Sequence, residues 1–152
     1  MKNKAFSLIE MLTVMGIIAI LIALSVPQLF RLRDRNTLQT STTKLISLLR
    51  QQQLNAMNSP HLYGVYFDSD RYILFTGEQY ISTNSANTII TFDYPTALTG
   101  IDVPSSQFIF ASGSGEIVSF DSLHHSLILE DVVHNEQSII EFNSLGVPVS
   151  IK

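Results

Sequence analysis

With 152 residues the chain has room for about one domain, and 45% of it is hydrophobic against only 14% charged, where soluble domains are about a quarter charged. It has no cysteine, which excludes disulfides and thiolate metal sites and leaves the redox compartment unread. The net charge of −4 is unevenly spread: seven of the nine basic residues fall in the first fifty positions, and from Gln51 onward eleven acids face only Arg71 and Lys152. That stretch, at −9, repels phosphate backbones and argues against nucleic-acid binding through it.

The chain opens Met1-Lys2-Asn3-Lys4-Ala5, then runs from Phe6 to Val26 with Glu10 as its one charged residue. As a helix rising about 1.5 Å per residue this run spans about 30 Å, the thickness of a bilayer's hydrocarbon core. Lys2 and Lys4 stand before it, so the positive-inside rule keeps the N-terminus cytoplasmic and sends the rest across. An ordinary signal peptide or signal anchor has the same outline. Against it, the run is long for a signal-peptide core, and Ala23-Leu24-Ser25 is a poor small-residue cleavage site. Glu10 resists it further, because a charge within the bilayer costs about 2.5–3.5 kcal/mol on insertion scales. An α-amino group created by a cut before Phe6 would give that carboxylate a partner.

Ala5-Phe6-Ser7-Leu8-Ile9-Glu10 resembles the class III signal of type IV prepilins and type II secretion pseudopilins, and Pro27 falls where that family commonly has a proline. The resemblance implies a leader at 1–5, cut between Ala5 and Phe6 by the prepilin peptidase, and N-methylation of Phe6. It also implies that Glu10 neutralises the terminal amine of a neighbouring subunit during assembly. The family nearly always has Gly before the cut, where this chain has Ala5. The implied organisation is a transmembrane and filament-core helix at 6–27, an amphipathic continuation at 28–58 and a β-rich head at 59–152. The implied location is a single pass through the bacterial inner membrane with the head extracytoplasmic, followed by a filament. The implied partners are other pilins or pseudopilins through the N-terminal helix, the prepilin peptidase, the inner-membrane assembly platform, and membrane lipid before assembly. Gly16, Ala19 and Ala23 would allow close helix approach. No enzyme activity, cofactor or metal is expected.

Beyond the apolar run, Pro27 bends a helix without having to end it. Arg31, Arg33 and Arg35 belong among lipid head groups or against acids of neighbouring subunits. Leu38, Thr42, Leu45, Leu49 and Ala56 then recur at three-, four- and seven-residue steps as a mild apolar stripe, with Lys44 and Gln51-Gln52-Gln53 placed off it. Asn58-Ser59-Pro60 stops the pattern, so one helix is predicted over 7–57. From His61 the period becomes two. Strands are predicted at 61–67, 71–75, 88–94, 107–111, 116–120, 126–130, 138–142 and 148–151, with a polar loop at 82–87. The fold class is α+β and pilin-like: one long N-terminal helix packed on an antiparallel β-sheet head of about seven or eight short strands. This layout, with Arg50-Gln51-Gln52-Gln53-Leu54-Asn55-Ala56 near the helix end and a closing Phe142-Asn143-Ser144-Leu145-Gly146-Val147, resembles the minor pseudopilin H or FimT-like branch. The absence of cysteine counts against a major pilin with a C-terminal disulfide loop. A pilus-tip adhesin or DNA-uptake minor pilin is the alternative within the same resemblance.

Candidate chemistry in the head is thin. Asp68-Ser69-Asp70 alternates acids as a calcium loop does, but lacks the Gly and distant Glu of an EF-hand and sits where a hairpin must turn. His124, His125, Glu130, Asp131, His134 and Glu136 have zinc-binding residue types at spacings that fit no helix-borne pair, and read as a solvated hairpin rim. Gly113-Ser114-Gly115 lacks the Lys and the following helix of a phosphate loop and reads as a hairpin turn. No nucleophile elbow occurs, which leaves a membrane-anchored hydrolase without its signature.

Overall fold

The structure is a computed structural model that describes residues 8–151, without the side chains of residues 24–36. The chain divides into two compact units, Met1–Asp34 and Arg35–Lys152.

The described part of the first unit is helical throughout and forms the beginning of α1 (Leu8–Met57). Leucine, isoleucine, methionine and alanine dominate it, and these residues keep the backbone hydrogen-bonded within the segment at little entropic cost. Pro27 lies inside α1, so the helix continues past it. Ser7, the predicted first helical residue, lies outside the described residues.

In the second unit the remainder of α1 lays its stripe into the core. Leu38, Thr42, Leu45, Leu49 and Ala56 are all buried, and Lys44 and Gln51 are exposed, as the periodicity predicts. Gln52 corrects the reading. Placed off the stripe by its polarity, it is 6% exposed, because steps of three from Leu49 and four to Ala56 set it on the same face.

Eight strands follow among the described residues: β1 (Tyr63–Phe67), β2 (Arg71–Thr76), β3 (Thr88–Thr91), β4 (Thr96–Asp102), β5 (Gln107–Phe110), β6 (Ser126–Asp131), β7 (Glu136–Phe142) and β8 (Pro148–Ile151). They form two antiparallel sheets of four, ordered β3-β2-β1-β5 and β4-β6-β7-β8. Both inner faces join the helix stripe in one core. Phe108 of β5 meets Phe142 of β7 edge-on, with ring centroids 5.3 Å apart, which ties one sheet to the other.

The outer face of the first sheet is also covered. Residues 77–87 fold back over it, tied by Gly77 N–H to Leu62 O at 2.9 Å and Tyr80 N–H to Gln107 Oε1 at 3.1 Å. Tyr80 stacks on Tyr66 at 4.3 Å, and Ile73 and Phe75 beneath are 3% exposed. The Phe75 ring occupies the space where a Cβ on its cross-strand partner Gly64 would stand. This is the reason for a glycine in a strand interior.

Two strand assignments are corrected. Residues 96–102 form β4, which the sequence conceals behind Pro95 and Gly100, both ordinarily strand breakers. Gly100 sits at the bulge where register shifts after Leu98, and a Cβ there would come within 2.8 Å of the Ile128 side chain. Conversely, residues 116–120 alternate like a strand but make one isolated bridge, Phe110 to Ile117. Ser119, at φ 60°, turns the chain away, and Ile117 N–H goes to Ser144 O instead.

Candidate processing and assembly site

The residues predicted to carry processing, Ala5 and Phe6, lie outside the described residues. Glu10 lies in the first turn of the described helix, where the positive end of the helix dipole favours a carboxylate. Around it α1 presents an apolar surface on every side. All sixteen residues from Leu8 to Ala23 are exposed, with Leu8 at 82%, Met15 at 72% and Ile20 at 62%. The hydroxyl of Thr13 donates to Ile9 O at 2.6 Å, which satisfies it inside the helix. At Gly16 an added Cβ would meet nothing within 4 Å, so no contact among the described residues accounts for glycine there.

A helix that is apolar all round is covered by something other than water. Among the described residues, no helix is long and apolar enough to cross a membrane. The described side chains of the run stop at Ala23. The side chains of Pro27, Arg31, Arg33 and Arg35 fall in the undescribed stretch.

Residues 1–26 match the prokaryotic N-terminal methylation motif. The match takes in Ala5, Phe6 and Glu10 and ends one residue before Pro27. It supports a type IV pilin-like precursor, and proteins of this motif are structural rather than enzymatic. No curated protein and no solved structure matches the chain.

Away from the methylation motif, the head resolves its candidate chemistry into local structure. Asp68 builds the β1–β2 turn: its Oδ1 accepts from Ser69 N–H at 2.9 Å and its Oδ2 from Arg71 Nε at 3.1 Å. Those two bonds, the Ser69 N–H first, hold its carboxyl below the usual value. The histidine group divides between opposite ends of β6. His124 Nδ1 lies 2.6 Å from Asp102 Oδ1, and His125 rests against the Phe120 ring. At the other end His134 Nδ1 lies 3.1 Å from Asp131 Oδ2. Among the described residues no three His, Asp or Glu side chains gather as a metal site.

The Gly113–Gly115 turn does something the sequence did not announce. Gly113 N–H donates to Ala56 O at 3.0 Å, satisfying a carbonyl at the end of α1. Gln53 Nε2 donates to Gly115 O at 3.1 Å and Leu145 O at 2.8 Å. The helix end is thus tied to two loops. The only available signal was a run of glutamines facing glycine turns, which is weak.

Proposed function

We propose that the chain is a minor pilin or pseudopilin subunit, of the pseudopilin H or FimT-like kind. It is cut between Ala5 and Phe6, methylated at Phe6, and assembled through α1 into a type IV pilus-like or type II secretion pseudopilus filament, with a place in initiation or at the tip. Before assembly it waits as a single-pass inner-membrane protein, N-terminus cytoplasmic and head outside, in contact with lipid, the prepilin peptidase and the assembly platform.

The observation that carries this reading is a methylation motif at 1–26 leading into a helix whose apolar side chains are exposed all round. Burying each large one is worth about 1.5–3 kcal/mol, so lipid and then neighbouring helices are favoured covers. Gly16, with space about it, suits close approach by a second helix. Glu10, costly in an apolar setting when unpaired, gains a partner in the amine of a cut neighbour. That pairing selects one register.

The test is the N-terminal mass of the protein from native membranes, with and without the prepilin peptidase. A first residue of N-methylated Phe6, lost without the peptidase, is expected. An intact 1–5 leader in both samples would refute processing.

A further inference from the structure

Three loops meet at the end of the head away from the α1 C-terminus, and backbone hydrogen bonds stitch them together. Phe92 N–H donates to Asp70 O at 3.0 Å, Leu98 N–H to Ser69 O at 2.8 Å, and Val132 N–H to Pro95 O at 3.1 Å. The β6–β7 turn among them is shaped from inside. Asp131, 1% exposed, accepts from Val133 N–H at 2.9 Å and His134 N–H at 3.0 Å. Turns ordinarily show Gly, Asn, Asp or Ser to solvent. This one shows Val132 and Val133, at 47% and 52%, beside Tyr94 at 82%. A single exposed apolar residue needs no explanation, but three on one fixed set of loops form a patch.

Charge narrows what can cover it. Residues 68–71, 92–96 and 130–136 hold six carboxylates with Arg71 as their one Lys or Arg. Asp131 is buried in its turn and Asp68 and Asp70 pair with Arg71, while Asp70, Asp93 and Glu136 are exposed. Such a collar repels anionic lipid head groups and nucleic acid. It favours a partner that offers both cations and apolar side chains. The same sequence has one such segment: Phe30-Arg31-Leu32-Arg33-Asp34-Arg35, its densest group of bases. Arginine and tyrosine are enriched at binding hot spots.

We propose that the patch of Tyr94, Val132 and Val133, inside its carboxylate collar, docks residues 30–35 of a second copy of this chain. The contact rests on the assembly reading and adds to it a specific head surface. The segment's bases would complement the exposed carboxylates Asp70 and Asp93.

The chain has no cysteine, so introduced thiols report the contact without background. Full-length Leu32→Cys and Val133→Cys chains, each singly substituted, are co-expressed in native membranes and oxidised. A disulfide-linked dimer of the two is expected, which a contact within one chain cannot give. Adding Asp70→Lys and Asp93→Lys to the Val133→Cys chain should cut its yield about tenfold, the effect of losing roughly 1.4 kcal/mol. Leu123→Cys, 79% exposed before β6 at the opposite end of that strand, should give no dimer with Leu32→Cys. Equal yield from that control, or indifference to the charge reversals, would mark random collision and overturn the proposal. So would protection of the Val133→Cys thiol by anionic vesicles without dimer formation, which would make the patch a membrane contact. The N-terminal mass of the same samples separates the two readings. No dimer from chains cut at Phe6 removes the docking surface alone, and uncut chains without dimer remove the assembly reading with it.

Discussion

Asp131 and His124 have pKa shifts in opposite directions, and the two give opposite pH dependences. Burial alone would raise the pKa of Asp131, but the N–H groups of His134 and Val133 and the His134 ring outweigh it and hold the carboxyl below its usual value. Its contribution to stability is therefore present above the ordinary carboxylate range and is lost as pH falls through the folded value. Asp131→Ala leaves two turn N–H groups without their acceptor, a cost of about 2 kcal/mol. Urea unfolding in detergent should show that loss at neutral pH, shrinking in acid. An equal loss at every pH would mean that the ionised carboxylate is not what the turn needs. For His124 the hydrogen bond to Asp102 comes first, aided by that carboxylate's charge, and it raises the imidazole pKa. The associated stability is complete below the unfolded value of about 6.5 and disappears as pH rises through the folded one. Both side chains are more than half exposed, so the energy is small and the titration is the better readout. NMR should place the His124 pKa above that of a free imidazole, and Asp102→Asn should bring it down. An unchanged value would mean that the 2.6 Å contact is not populated.

At the scale of elements, the second half of α1 separates what a sequence displays from what it hides. Leu38, Leu45 and Leu49 announce the buried face because they are apolar at helical spacing. Gln52 occupies the same face, and its polarity conceals it. Its Oε1 is buried without a hydrogen-bond partner, and so costs stability. Gln52→Leu should raise stability by about 1 kcal/mol, whereas Gln53→Ala, which removes two bonds to loop carbonyls, should lower it by about 1–2 kcal/mol. Opposite shifts in urea midpoint for two adjacent glutamines would confirm the assignment of faces, and shifts of the same sign would contradict it. The strands divide in the same way. β1, β2 and β6 were legible because aromatic and β-branched residues alternate between turn signals. β4 was not, since its Gly100 serves a close approach to Ile128 that exists only once both strands are in place. The run at 116–120 misled for the converse reason: its alternation is good, and the left-handed backbone of Ser119 ends the pairing. The N-terminal methylation motif was legible in the sequence. The apolar patch at Val132 and Val133 was not, because it needs three loops distant in sequence to meet.

For the whole molecule, the dominant asymmetry lies between the apolar run at 6–26, with one carboxylate, and an acidic stretch from Gln51 onward. Sixteen exposed residues from Leu8 to Ala23 would serve equally well to hold a lone protein in a bilayer, and for that task Glu10 is only a cost. Its presence acquires a reason when helices must choose a register against one another. Under the proposed assembly, a carboxylate left unpaired in an apolar bundle is penalised by several kcal/mol, so an alignment that sets it beside a neighbour's terminal amine would outcompete the others. On that reading, Glu10→Ala should insert into membranes at least as well as the parent chain and be processed to the same extent. Its recovery in sheared filaments should fall by roughly tenfold or more, the signature of losing about 1.4 kcal/mol or more in subunit pairing. Glu10→Gln, which keeps the shape and loses the charge, separates the two possible causes. If ion pairing sets the register, it should assemble as poorly as Glu10→Ala. Should it assemble normally, a hydrogen bond without charge suffices, and the register argument would lose its electrostatic basis.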